Sequence, residues 1–400
     1  MRISSAQIYQ LAVQAMLDQQ ARLSKTQNQI ATGKRVQLPS DDPVAAVQIN
    51  NLAQAQSQNS QFTKNSSAAT GRLQLEEQAL SDSTTVVQRV RELLVQANNA
   101  TLSDSDRNSI ATELKSREAE LLSIANRKDA AGEFLFAGLS GGTQPFVRGA
   151  SGAVQYRGDD GARAIQVDAA LSVQDSDPGS HVYMDVPAGN GTFTVAASGT
   201  NTGNGVLDSG SVVNAASWVP DNYTVSFAAG GAWTVTDSLG NTVNTGTYTG
   251  AAGSVIDFRG VQVGITGTPA AGDSFTIGKA GTQDMFSTLD GVITALQRGA
   301  STDATRAQFN TAMNASLQQV DQAADRLTTT RSQVGARLSM LDDTDGARAN
   351  ALGDLQAESG KLTDLDYASA VSQMSQQLLG LQAAQQAYSS TAKLSLFNYL

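Results

Sequence analysis

The sequence predicts an α+β protein. Its first and last thirds form a long, discontinuous helical coiled-coil bundle, and an all-β domain, barrel or sandwich, is inserted between them. Three observations carry this. First, Asn310, Met313, Leu317, Val320, Ala324, Leu327, Arg331, Val334, Leu338, Leu341, Asp345, Arg348, Leu352, Leu355, Ser359 and Leu362 alternate in steps of three and four. Eleven of these sixteen positions are apolar, which is the seam of a helix lying along another helix. Second, Ala6, Tyr9, Val13, Met16, Gln20, Leu23, Gln27 and Ile30 repeat that pattern at the other end. Third, residues 181–280 hold 17 of the 36 glycines and both tryptophans, in short alternating runs.

In chain order, the first helix should stop at Thr32-Gly33. Asp42 can then cap a second helix that carries Pro43 at its first position. Leu73, Leu80, Val87 and Leu94 repeat at intervals of seven along it. Asn98-Asn-Ala-Thr-Leu-Ser-Asp104 reads as a turn, with Ser103 or Asp104 capping a third helix that should run to about Gly132. Ile110, Leu114, Leu121 and Ile124 give that helix one apolar face. A small β segment is expected at about 145–175. Tyr223-Thr-Val-Ser-Phe, Trp233-Thr-Val-Thr and Ser274-Phe-Thr-Ile are the clearest strands of the inserted domain, and both tryptophans should be buried. Phe286, Leu289, Ile293 and Leu296 make a short helix ended by Gly299.

No proline follows Pro269, so the long seam can run unbroken from about Asp303 to Leu362. After Asp364-Leu365-Asp366 the register slips. A second seam begins at Tyr367, Val371, Met374, Leu378, Leu381, Gln385 and Tyr388. The apolar stripe of a lone helix does not offset the entropy of ordering it, so these seams need partner helices.

Composition excludes several functions. The net charge of −10 argues against a generic nucleic-acid binder. Residues 1–40 are the exception, with Arg2, Arg22, Lys25, Lys34 and Arg35 against Asp18. Cysteine is absent, which removes disulfides, thiol catalysis and Cys-ligated metal. Met1 to Gln20 lacks the apolar core of a cleaved signal peptide, and no apolar run reaches membrane-spanning length. His181 is the only histidine and is expected near a strand start in a structural role. Asp342-Asp343-Thr-Asp345-Gly346 fails the EF-hand spacing, since Leu341 and Leu352 would occupy the first and twelfth ligand positions. No catalytic, cofactor or metal residues are expected, and the chain is not expected to be an enzyme.

Several segments carry more than a pattern. They are Met1-Arg-Ile-Ser with Tyr9, Gly33-Lys-Arg-Val, Pro39-Ser-Asp-Asp-Pro43 and Asn98-Asn-Ala-Thr101. In the third helix they are Asp106-Arg107, Ile110, Glu113-Leu114 and Ile124-Ala-Asn126. Phe134-Leu-Phe-Ala-Gly138, Pro145-Phe146, Tyr156-Arg-Gly-Asp159 and the ending Leu394-Ser-Leu-Phe-Asn-Tyr-Leu400 complete the set. Together these resemble the flagellar hook-associated protein 3 family, hook–filament junction proteins of the bacterial flagellin superfamily. Asn398 departs from the aspartate expected there. The resemblance covers roughly 1–175 and 284–400. Gly267-Thr-Pro-Ala-Ala-Gly-Asp-Ser-Phe-Thr-Ile277 is similar to a segment shared by hook-associated proteins 1 and 3.

The resemblance implies three layers: a terminal helical pair (1–40 and 361–400) as inner core, a helical rod with a small β segment (41–180 and 281–360), and an outer β domain (181–280). It implies unfolded export through the flagellar type III apparatus, with no cleaved signal, to the extracellular hook–filament junction. Partners would be further copies of the chain in a ring, hook-associated protein 1, flagellin and an export chaperone covering the C-terminal seam, with neither nucleic acid nor membrane. Subunit contacts are expected at Tyr9, Val13, Met16, Leu23, Ile30, Tyr367, Val371, Met374, Leu378, Leu381 and Tyr388. The alternatives are flagellin or hook-associated protein 1 itself, and, in another class, a secreted adhesin or fibre protein whose β domain binds carbohydrate through exposed aromatics.

Overall fold

The computed structural model describes residues 5–99, 102–251, 254–299 and 301–393. It divides into two compact units, Met1–Lys64 with Thr344–Leu400, and Asn65–Asp343. The α-helices are α1 (Ser5–Thr32), α2 (Pro43–Ala97), α3 (Asp104–Ala125), α4 (Met285–Gln297), α5 (Asp303–Thr363) and α6 (Tyr367–Lys393). The strands are β1 (Phe146–Arg148), β2 (Val154–Tyr156), β3 (Ala164–Asp168), β4 (Leu171–Gln174), β5 (Val186–Pro187), β6 (Phe193–Ala197), β7 (Val206–Leu207) and β8 (Ser211–Val212). They continue with β9 (Tyr223–Phe227), β10 (Ala232–Thr236), β11 (Thr242–Thr247), β12 (Val255–Phe258), β13 (Val261–Thr266), β14 (Ser274–Lys279) and β15 (Thr282–Gln283).

The helix boundaries have local causes. α1 ends where Gly33 turns to φ 69°, in the left-handed region. α2 begins at Pro43, with the Asp42 side chain accepting the Ala45 amide at 3.0 Å. Ser103 caps α3 in a reciprocal box with Asp106. α3 stops at Ala125, not near Gly132. Asn126 explains the early stop: its side chain accepts the Phe146 amide at 3.0 Å and donates to the Phe146 carbonyl at 2.9 Å. It pairs with an extended segment as a strand would, and the chain leaves the helix. The turn after α2 lies partly outside the described residues, at 100 and 101.

α5 follows its seam throughout. All sixteen seam positions from Asn310 to Leu362 are buried or half-buried. The Asp342–Asp345 stretch is ordinary helix, with Asp342 and Asp343 exposed and Asp345 paired to Arg348 at 2.6 Å.

In the second unit, Leu73, Leu80, Val87 and Leu94 of α2 share one core with Met313, Val320, Leu327 and Val334 of α5. Ile110, Leu114, Leu121 and Ile124 of α3 join it, as do Phe286, Leu289, Ile293 and Leu296 of α4. Phe136, Phe146, Tyr183 and Phe286 form an aromatic knot, with ring centroids 5.3–6.2 Å apart. Inside it the Tyr183 hydroxyl meets Ser83 Oγ at 2.9 Å. The Phe134–Gly138 and Tyr156–Asp159 motifs hold each other. Asp159 accepts from the Leu139 amide at 2.9 Å and the Ser140 hydroxyl at 2.7 Å. Gly138 lies so close that a Cβ there would fall 2.1 Å from the Asp159 carbonyl oxygen.

The inserted domain is built from two antiparallel layers. One runs β11-β10-β9-β14-β6, and the other runs β12-β13-β7 with β8 also on β13. Alternate residues from both layers (Tyr223, Val225, Phe227, Val235, Val261, Val263, Ile265, Phe275 and Ile277 among them) share a second core, so this is a sandwich. Trp233 is buried in β10. Trp218 is only half-buried and sits outside any strand, after a 3-10 turn, with its ring against Phe193 and Tyr223. His181 is exposed in a single π-helical turn, Ser180–Met184, and does not begin a strand.

Candidate assembly surface on the terminal helix pair

α1 and α6 pack side by side and antiparallel. Tyr9 meets Tyr388, Gln19 donates to the Gln377 carbonyl at 3.2 Å, and Leu365 donates to the Gly33 carbonyl at 3.0 Å. The covered face of α1 is Tyr9, Ala12, Met16, Gln19, Leu23, Thr26 and Ile30. That of α6 is Ala370, Met374, Gln377, Leu381, Ala384 and Tyr388. Both sets step by three and four, the spacing that keeps one stripe against a partner.

The expected contact residues therefore split. Tyr9, Met16, Leu23, Ile30, Met374, Leu381 and Tyr388 lie on the covered faces inside the chain. Val13, Tyr367, Val371 and Leu378 do not: they remain 40, 53, 46 and 38% exposed. Leu11, Leu17 and Leu379, which the seam pattern passes over, are exposed beside them. Sequence reading misses the polar members of the inner face, Gln19, Thr26 and Gln377, because it ranks positions by hydrophobicity. Met1-Arg-Ile-Ser, the Leu394–Leu400 ending and the Ala6 side chain lie outside what the structure describes.

The family-like linker motifs fasten this pair at one end. Lys34 bridges Asp364 as a strand would, and the Arg35 amide donates to the Thr363 carbonyl at 2.7 Å. The Arg35 guanidinium donates to the Leu362 carbonyl at 3.0 Å and pairs with Asp42 at 3.4 Å. Asp41 accepts from the amides of Gln37 and Leu38 and pairs with Lys25 at 2.8 Å. The Lys25 contact, then the two amides, hold its carboxyl down at about 2. Asp42 is lowered too, first by the Ala45 amide and then by Arg35. An open polar groove of about 680 Å³ lies against this junction, lined by Arg22, Lys25, Arg35, Asp366 and glutamines of both helices. Among the described residues no cluster of acidic or histidine side chains could hold a metal, and no helix is long and apolar enough to cross a membrane.

The chain is similar to solved structures over most of its length. A flagellar hook-associated protein 3 from Legionella pneumophila is 34% identical, superposes with a TM-score of 0.76, and is covered over 98% of its length by 78% of this chain. The chain belongs to the hook-associated protein 3 family of the flagellin superfamily. The family profiles agree along the chain. The bacterial flagellin N-terminal helical region matches residues 3–140, and the C-terminal helical region matches 317–400. Residues 196–279 match the D2-like domain of flagellar hook-associated protein 1, which extends the expected likeness at Gly267–Ile277 across most of the sandwich.

Among curated relatives, flagellar hook-associated protein 3 of Escherichia coli is 29% identical over 99% of both chains. That of Salmonella typhimurium is 39% identical over 186 residues, a match spanning 46% of this chain and 58% of that protein. These relatives are structural proteins of the bacterial flagellum, and this chain is a flagellin-like structural protein of the same kind.

Proposed function

We propose that the chain is a structural adaptor at the hook–filament junction, where it assembles as a ring on hook-associated protein 1 and seeds flagellin polymerisation. The observation that carries this reading is the terminal pair's unfilled half. Its inner stripe is satisfied within the chain, yet Leu11, Val13, Leu17, Val371, Leu378 and Leu379 face outward. Large apolar side chains concentrated on one helix pair make an interaction surface rather than a solvent face. Neighbouring copies supply the missing cover, so terminal pairs associate into a tube. The lack of cysteine suits unfolded export, and an export chaperone shields the C-terminal stripe until then.

The test is electron microscopy of cells lacking the gene, combined with an assay for flagellin in the medium. Finished hooks without filaments, with flagellin leaking out, are expected. Normal filaments would overturn the proposal.

A further inference from the structure

Glu76 of α2 is 1% exposed, yet no cation is paired with it directly among the described residues. Its Oε1 accepts the Asp177 backbone amide at 3.2 Å, which brings the Asp177 side chain beside it. A single guanidinium faces the two acids: Arg337 of α5 pairs with Asp177 and donates to the Gln174 carbonyl at 3.2 Å. The other charged or titratable groups nearby are committed elsewhere. Arg72, one turn earlier on α2, is bound to Asp129 and to the Phe134 carbonyl. Arg163 is bound to Asp175, and the Tyr183 hydroxyl to Ser83.

A buried carboxylate beside a half-buried one, with one guanidinium for the two, leaves an uncompensated charge, which is costly in a low dielectric. A proton between them removes that charge and supplies the donor that two carboxylates lack. We propose that Glu76 and Asp177 share one proton and that this proton latches the segment after β4 onto α2 and α5. The segment matters because it closes over the aromatic knot. Gly179 donates to the Phe136 carbonyl at 2.9 Å, and Tyr183 of the following turn is fully buried. Loss of the proton releases the strap and uncovers the knot.

The direction with pH follows. Burial first, and the Asp177 charge next, hold the Glu76 carboxyl well above the ordinary carboxylate range. The folded chain thus binds this proton more tightly than the unfolded chain. The stabilisation is full below the unfolded carboxyl value and is lost as pH rises through the folded one.

The experiment is amide hydrogen exchange of residues 177–184 in the full chain between pH 6 and pH 10, corrected for intrinsic rates. Wild-type protection should fall by at least about tenfold, the equivalent of one unit of linked titration. Glu76→Gln keeps a neutral donor toward Asp177 and should hold that protection to within about twofold. Glu77→Gln, which weakens the half-buried pair with Arg331 and leaves Glu76 in place, should keep the wild-type pH slope. An unchanged alkaline loss in Glu76→Gln would overturn the proposal. If that variant does not fold, carboxyl-carbon titration of the wild-type chain decides. A Glu76 signal ionising in the ordinary glutamate range would overturn the shared proton, and one ionising well above it would support it.

Discussion

Tyr9 and Tyr388 meet edge to face, with ring centroids 6.0 Å apart and planes at 82°. They are 379 positions apart in sequence, and their contact marks where the two ends of the described chain are joined. An aromatic pair of this geometry contributes about 0.5–1.5 kcal/mol beyond burial. Tyr388→Ala should therefore raise amide exchange in α1 and α6 while leaving the thermal transition of the sandwich unchanged. Equal loss of protection in both places would show that the pair is not a local fastening.

Leu378 and Met374 provide a contrast on one helix. Leu378 is exposed on α6, whereas Met374 lies on the covered face. Leu378→Asp should leave the helical content of the isolated chain unchanged and abolish assembly at the junction. Met374→Asp should also lower the helical content, because its charge would be driven between α1 and α6. Circular dichroism of the purified chains, beside microscopy of the cells, separates the two. A normal junction in Leu378→Asp would remove the outward stripe from the assembly surface.

Asp41 gives the linker a pH dependence. Its folded carboxyl is held at about 2, below the usual value, so its contribution is present above the unfolded range and lost as pH falls toward 2. Acidification should first loosen the 33–42 linker, seen as rising exchange at Gln37 and Leu38, whose amides Asp41 accepts. In Asp41→Asn those two amides should exchange faster at neutral pH, with the acid-dependent step reduced.

Gly138→Ala tests the motif packing. The backbone there is left-handed, at φ 68°, and the Asp159 carbonyl leaves no room for a methyl group. A loss of about 2 kcal/mol or more is expected, since strain and collision add. It should appear as an earlier denaturant midpoint of the helical unit. An unchanged midpoint would mean that the 134–138 and 156–159 segments move apart freely.

The helical frame was legible where one physical signal dominated. The α5 seam holds through Arg331, Asp345, Arg348 and Ser359 because spacing, not the identity of each residue, decides which face is covered. The strands at Tyr223, Trp233 and Ser274 were legible for the same reason, with a period of two. The end of α3 was not, because Asn126 answers to Phe146, twenty residues away. Within the terminal pair the repeat was visible but its phase was not. Gln19 and Thr26 lie on the inner face with hydrogen bonds to the Gln377 and Arg22 carbonyls, Gln377 lies there too, and Val13, Val371 and Leu378 are left outward.

The paired linkers carry a mechanical consequence. A single extended strand between two helices swivels about its own bonds and passes on almost no twist. Here residues 33–35 and 363–365 are laced by two backbone hydrogen bonds, at 2.7 and 3.0 Å, with the Arg35 side chain gripping the end of α5 as well. Neither strand can rotate without dragging the other. Such a joint should bend more easily across its flat face than it twists.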